Sequence, residues 1–388
     1  MKQKKILRLI LSLRSLISVV YLNILVVYSK FKNKKIFFFY YPRKLVTGIH
    51  THVIEDLFSD YQNNSTVIFG HEAHHLKLNG NYVYIKENFL KFILSVDIFI
   101  STALCDQFIK KSKKLYINHH IYDSPMVSPE KEKKMCERLS SYEIIFTASQ
   151  NIDSLLLDVF KRYEANENIN MPKLIEIGYP RFDVIQKKIN KLNVVQKKNV
   201  IVSPTNIDQD PNFSLYNDIE KLLDNLINKT NFNVIFRPHP MNRFDTRILK
   251  IVDLYKKNKK FNYDDSDDYT NVFSNSFCMI TDHSDIAYMF TFLTLCPVVF
   301  YSNKNLENFI NSEQKKIKSY NYRSLNYFNN RGKIGLIINE VNTAADKINM
   351  LEKDYKKYEN SIIPLRNEIK YLGQSKKRFY EEIKKLLY

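Results

Sequence analysis

Five short motifs concentrate the residues able to move protons or hold phosphate, and each follows or borders a run of strand-forming residues. The first is Asn118-His119-His120-Ile121-Tyr122-Asp123-Ser124-Pro125. A histidine at such a position can act as general base on a hydroxyl, because imidazole titrates near neutrality. Either His119 or His120 suits that role, with Asp123 placed to orient the ring. The second is Arg237-Pro238-His239-Pro240. Its prolines fix the backbone around His239, and Arg237 offers a forked donor matched to phosphate. The third is Ile280-Thr281-Asp282-His283-Ser284-Asp285-Ile286. Thr281, Asp282 and Ser284 stand where a helix begins, so they suit either an anion held by the helix dipole or plain capping of the first turn. The fourth, Gly178-Tyr179-Pro180-Arg181-Phe182-Asp183, makes a turn that directs Arg181 at a cleft or simply joins two domains. The fifth, Ser203-Pro204-Thr205-Asn206, adds the hydroxyl of Thr205.

The elements that must position these motifs alternate between strand and helix. Strands are expected at Lys35–Tyr41, Thr66–Phe69, Asp97–Ile100, Lys114–Asn118 and Glu143–Thr147, with a helix over Asp153–Tyr163. A second series follows at Asn199–Ser203, Asn233–Arg237, Phe277–Thr281 and Pro297–Tyr301, with helices over Leu215–Asn228 and Thr246–Lys256. Such alternation argues for α/β architecture with parallel sheets, and ligands then bind at the C-terminal strand ends. The polar stretch Gln186–Lys198 reads as the linker between the two series. The expected division is therefore residues 1–30, a basic apolar helix; 31–190 and 197–345, two α/β domains; and 346–388, C-terminal helices.

Composition narrows the function classes. The chain has 388 residues, 44% hydrophobic and 13% aromatic, which excludes wholesale disorder. Lys and Arg total 59 against 41 Asp and Glu, a net charge of +18 that favours anionic partners. No zinc-finger, RNP, GxGxxG or P-loop pattern occurs, so nucleic acid is not an expected partner. Cys105, Cys136, Cys278 and Cys296 are far apart and read as reduced core residues of a cytoplasmic protein. His50, His52, His71, His74 and His75 lack a metal-ligand spacing, and no metal or cofactor is expected. Residues Ser15–Ser29 form the longest uncharged run near the N-terminus and include Asn23 and three serines. As a helix that run is about 22 Å long, short of a hydrocarbon core of roughly 30 Å. A helix lying in the interface of an anionic membrane, or packed on the core, is expected instead.

Taken in order, the motifs resemble the CDP-glycerol glycerophosphotransferase family, the teichoic acid and capsule primases and polymerases. "GYPRFD", "RPHP" and "ITDHSDI" are similar to that family's G-x-PR-x-D, R-x-HP and TDYSS elements, and "CPVVFYS" and "RGKIGLIINEV" to its C-terminal half. The resemblance spans roughly residues 114–340. It implies two Rossmann-like domains facing across a cleft, the glycosyltransferase B-type fold, with no metal; 31–190 would be the acceptor-binding domain and 197–345 the nucleotide-donor-binding domain, with the helices of 346–388 returning to the first. With the basic apolar helix at the N-terminus, the leading reading is a transferase peripheral on the inner face of the cell membrane. Polyol phosphate would pass from a CDP-alditol to a saccharide or lipid-linked acceptor, with release of CMP. His119 or His120 would take the acceptor proton, and Arg237, His239 and Ser284 would hold the donor phosphates. The sequence departs from the family pattern at Ser284-Asp285, where paired serines are usual, and at Met289, where an aspartate is usual. Asp285 adds a carboxylate beside the expected pyrophosphate, which is electrostatically adverse unless it points away. Those departures admit a capsule glycosyltransferase of the same fold using a CMP- or UDP-sugar. A third reading is a non-catalytic scaffold that binds polyanions or membranes.

Overall fold

The computed structural model of the chain describes residues 2–41, 57, 65–71, 82–122, 129–167, 169–192, 197–319 and 326–387. The chain divides into two compact units. The first comprises Met1–His119, Met126–Arg181 and Tyr371–Tyr388, and the second comprises His120–Pro125 and Phe182–Lys370.

The first unit contains strands β1 (Lys35–Tyr41), β2 (Ser65–His71), β3 (Tyr82–Tyr84), β4 (Ile98–Ser101), β5 (Lys113–Ile117), β6 (Ile144–Thr147) and β7 (Lys173–Glu176). They form one sheet in the order β3-β2-β1-β4-β5-β6-β7, parallel at every pairing. A strand in such a sheet is covered on both faces, which is why β1 reads Lys-Ile-Phe-Phe-Phe-Tyr-Tyr without alternation. Phe37, Phe39 and Tyr41 pack with Phe379 and Ile383 of the C-terminal helix. Ile36, Phe38 and Tyr40 pack on the other face with Val19, Leu22 and Val26 of the N-terminal helix Lys2–Phe31. Each such side chain contributes about 1.5–3 kcal/mol on burial. Gly178, in the turn before helix Pro180–Ile189, has φ +80°, and a Cβ there would lie 2.6 Å from the Tyr371 carbonyl oxygen.

The second unit contains β8 (Asn199–Val202), β9 (Asn233–Phe236), β10 (Phe261–Tyr263), β11 (Ser276–Thr281), β12 (Val298–Tyr301) and β13 (Gly335–Ile338). Their order is β10-β9-β8-β11-β12-β13, again all parallel. Chain order reverses direction between the neighbours β8 and β11. That topological switch point is where the loops diverge and an open α/β sheet takes its ligand.

The expected strands agree with observed ones to within a few residues. The expected polar linker is helical at its start, since Pro180–Ile189 is a helix, and residues 193–196 lie outside the described residues. Strands β3, β7, β10 and β13 have three or four residues and were not expected. All four cysteines are buried and without disulfides, and burial pushes the Cys105 and Cys136 thiols up to about 12.

Candidate active site

The third and fifth motifs meet at the β8–β11 switch point. Main-chain pairing carries them there: Val202 stands opposite Ile280, and Ser203 N donates to the Ile280 carbonyl at 2.9 Å. Past the strand ends, side chains take over. Thr281 Oγ1 donates to the Ser203 carbonyl at 2.6 Å. Asp282 is fully buried, and its Oδ1 accepts from Thr205 N at 2.9 Å, Thr205 Oγ1 at 2.5 Å and His283 N at 2.9 Å. Its Oδ2 accepts from Leu215 N at 3.0 Å. Four donors around one carboxylate satisfy its charge without solvent. Thr205, Thr281 and Asp282 are thus brought together, but as a staple between loops whose polar atoms are engaged with one another.

Beyond this staple the chain enters helix Ile286–Thr294. Ser284 is half-buried just before it, and its hydroxyl makes no hydrogen bond to the described residues. The Ser284 carbonyl accepts from the Tyr327 hydroxyl at 3.0 Å and from Ala287 N at 3.2 Å, so the turn is held from its protein side. A hydroxyl and the first amides of a helix, presented together, can bind an anion.

The second motif follows β9, the neighbour of β8. Arg237 is buried, and its guanidinium donates to the Asp264 carboxylate, to Ser266 Oγ at 3.2 Å and to the Ser266 carbonyl at 2.9 Å. It also lies 5.6 Å from the Tyr269 ring centroid. The fork expected on phosphate is therefore closed on the acidic loop Asp264–Asp268, which Arg243 also grips through Asp267 at 2.7 Å. His239 differs. Its Nδ1 accepts from Met241 N at 3.2 Å, which leaves the ring hydrogen on Nε2. Burial, together with the Arg243 guanidinium, pulls His239 down to about 4, so the ring is a neutral N–H donor at physiological pH.

The first motif spans the boundary between the units. His119 belongs to the first: its Nδ1 bonds the Tyr116 hydroxyl at 2.9 Å, and its carbonyl accepts from the Tyr179 hydroxyl at 2.6 Å. Tyr179 comes from the fourth motif. That motif's Arg181 is half-buried in the first turn of helix Pro180–Ile189 and ends the Met126–Arg181 segment of the first unit. His120 belongs to the second unit, and its Nδ1 lies 3.1 Å from Asp285 Oδ2. Tyr122 holds it there. The Tyr122 ring stacks on Tyr288 at 4.5 Å, its hydroxyl accepts from Asn330 Nδ2 at 2.8 Å, and it donates to Glu368 at 3.3 Å. Asp123 lies outside the described residues, as do His50, His52, His74 and His75. Among the described residues no group of three or more His, Cys, Asp or Glu could hold a metal ion.

Sequence reasoning did not single out Tyr122, Tyr288 or Tyr327, and it treated Asp285 as a liability. The aromatic residue two places after the histidine pair was the available signal.

Comparison with known proteins agrees with this geometry. A sequence profile of the family described as CDP-Glycerol:Poly(glycerophosphate) glycerophosphotransferase matches residues 21–384. The minor teichoic acid biosynthesis protein GgaB of Bacillus subtilis (strain 168) is 24% identical over 221 residues, which are 52% of this chain and 22% of GgaB. The chain thus spans less than a quarter of that relative's length. The wall teichoic acid polymerase TagF has a similar structure, with a TM-score of 0.61 and 18% identity over 91% of this chain and 90% of the TagF chain. The S. aureus MnaA–UDP co-structure aligns with a TM-score of 0.57 and 12% identity, covering 91% of this chain and 97% of the other. These likenesses identify the paired α/β units as glycosyltransferase B-type.

Proposed function

Because the chain belongs to the CDP-glycerol:poly(glycerophosphate) glycerophosphotransferase family, we propose that it moves glycerol phosphate, or another polyol phosphate, from a CDP-linked donor to a saccharide or lipid-linked acceptor in cell-surface polymer synthesis. The observation that carries this reading is the convergence of "VSPTN" and "TDHSD" at the switch point of the second sheet, with "RPHP" on the adjoining strand. In this assignment Ser284, the first amides of helix Ile286–Thr294 and His239 Nε2–H hold the donor diphosphate. Arg237 stiffens the loop that carries His239, while Thr205, Thr281 and Asp282 fix the loops beneath. His119 or His120 takes the acceptor proton, with Asp123 and Arg181 as further contacts. The acceptor oxygen attacks the β-phosphorus, the bond to the bridging oxygen breaks, and CMP leaves with that electron pair.

One observation favours a second donor class. Asp285 replaces a serine of the family pattern, which suits a capsule glycosyltransferase acting on a CMP- or UDP-sugar. A donor panel decides between them: CMP release from CDP-glycerol or CDP-ribitol supports the phosphotransferase. Release of CMP or UDP from nucleotide sugars alone overturns it.

We further propose that the protein works at the inner face of the cell membrane through its N-terminal helix. The serines and Asn23 that count against a membrane helix in the sequence face the protein. Ser18 Oγ donates to the Tyr84 carbonyl at 2.7 Å, Ser15 Oγ accepts from Lys86 N at 3.1 Å, and Ser29 Oγ lies 2.7 Å from Thr66 Oγ1. Asn23 donates to the Phe92 carbonyl at 3.0 Å and accepts from Leu94 N at 2.8 Å. The opposite face exposes Leu9, Leu13, Ile17, Ile24 and Phe31, with Leu9 72% and Phe31 82% accessible. A helix docked lengthwise to one unit lies in a leaflet rather than across it, apolar face inward. Replacing Leu13, Ile17 and Ile24 with lysine should abolish flotation with anionic liposomes and leave CMP release in detergent intact. Undiminished flotation would refute the assignment.

A further inference from the structure

The two adjacent histidines have chemically different partners. His119 Nδ1 meets the neutral Tyr116 hydroxyl at 2.9 Å. His120 Nδ1 meets the Asp285 carboxylate at 3.1 Å, with the two side chains 27% and 25% accessible. Asp285 and Tyr288 are three residues apart at the start of one helix and share a face. His120 and Tyr122 are two apart in the loop that follows β5, which bends at Ile121 and Tyr122. The Tyr122 ring docks on Tyr288 while His120 meets Asp285, so both contacts are made to one face of the same helix. Tyr288 is fixed in turn, since its hydroxyl donates to the Tyr327 carbonyl at 2.6 Å. The carboxylate also sits at the N-terminal end of the helix dipole, where negative charge is favoured.

We infer that Asp285 is the positioning residue for His120, which acts as the base of the transfer. The inference rests on the function proposed above and names the residue that the sequence left open between two. The Asp285 carboxylate accepts Nδ1–H, so the ring's lone pair is on Nε2. That nitrogen takes the proton of the acceptor hydroxyl as the new oxygen–phosphorus bond forms and the β-phosphorus–bridging-oxygen bond breaks. CMP departs with the bridging oxygen, the product is a phosphodiester, and His120 then returns its proton to water. The imidazolium formed in the middle of this sequence is balanced by Asp285, as in hydrolases whose histidine is held by a carboxylate. A carboxylate engaged in this way is neutralised when the ring charges, which removes the objection to placing one beside a diphosphate.

The experiment uses the full chain with CDP-glycerol and a short glycerophosphate oligomer, reading CMP release, and records the His120 tautomer by 15N NMR of the wild-type protein. Asp285→Asn should lower kcat about 10²- to 10⁴-fold, the range for general-base catalysis, with KM for CDP-glycerol changed less than about threefold. Asp285→Glu should restore part of the loss. Adding Asp285→Asn to His120→Ala should cost nothing more, because the two residues act as a unit. The wild-type ring should carry its hydrogen on Nδ1. A hydrogen on Nε2 in the wild type, a kcat for Asp285→Asn within threefold of wild type, or full additivity in the double variant would each overturn the inference. Should Asp285→Asn not fold, the wild-type tautomer decides alone. Absence of CMP release by the wild type would instead overturn the assigned reaction, and an Nδ1–H ring in that same sample would tell this failure from a failure of the pair.

Discussion

Asp282 is the most tightly bound side chain of the third motif, and replacing it tests whether that motif is scaffold or donor contact. In Asp282→Asn the amide oxygen can take the place of Oδ1 and keep the bonds from Thr205 N, Thr205 Oγ1 and His283 N. The amide nitrogen must then replace Oδ2 and faces Leu215 N–H, donor against donor. Losing a bond to a charged acceptor costs about 1.5–3 kcal/mol, and leaving the buried Leu215 N–H without a partner costs about 1–3 kcal/mol. These overlap, so the expected loss is about 3 kcal/mol. For a domain of this size that is a fall of roughly 6–12 °C in the unfolding temperature of the second unit. Because the chain has two cores, the transition must be assigned to a unit, for instance by its stabilisation with CDP-glycerol. At a temperature where the variant is folded, its KM for CDP-glycerol should remain within about threefold of wild type. Wild-type stability combined with abolished turnover would refute the reasoning, since it would place the carboxylate on the donor and not on the loops.

Two other perturbations follow from local geometry. His239 is depressed to about 4 in the fold against 6.5 unfolded, so the fold prefers the neutral ring. That contribution is present above pH 6.5 and is lost as pH falls toward 4, by about 1–3 kcal/mol once partial exposure is discounted. His239→Gln keeps an acceptor for Met241 N and should be flatter than wild type between pH 7 and 4.5 in urea titrations; parallel profiles would contradict the lowered titration of His239. Gly178→Ala combines a left-handed backbone with a Cβ 2.6 Å from the Tyr371 carbonyl oxygen, so it should lose at least about 2 kcal/mol of stability by thermal unfolding. A loss under 0.5 kcal/mol would show that the turn relaxes.

What the sequence disclosed depended on how much of the determining physics is local. Strand β1 was legible to the residue because six consecutive apolar residues, Ile36–Tyr41, mostly aromatic and stopped by Pro42, suit a strand buried on both faces. The edge strands β3, β7, β10 and β13 were not, because an edge needs few residues and only one neighbour, and Lys173–Glu176 carries a charge at each end. The serines of the N-terminal helix were misread for a related reason. They looked like interruptions of an apolar run, yet they are the face that docks. Among the motifs, position was read correctly and partnership was not. Arg237 has the chemistry of a phosphate fork, but Asp264 and Ser266, which occupy it, lie 27 and 29 places away and carry no motif. Asp285 was judged by its charge alone, and the sign of its effect is set by His120, 165 positions earlier in the chain.

That redistribution changes what kind of phosphate site the proposed function requires. The chain carries a large positive surplus, yet the two buried arginines of the donor unit nearest the second motif are already paired with acidic residues, Arg237 with Asp264 and Arg243 with Asp267. The groups that the proposal gives to the diphosphate are a neutral imidazole N–H, a serine hydroxyl and helix amides. Such donors are fixed dipoles. They stabilise charge that moves from the bridging oxygen onto departing CMP without first having to be desolvated or reoriented. A mobile lysine would bind the donor more tightly in the ground state and gain less in the transition state. In that proposal the positive surplus is left to the surface, where it can hold an anionic membrane or draw an anionic acceptor, and proton transfer is assigned to the one contact between His120 and Asp285.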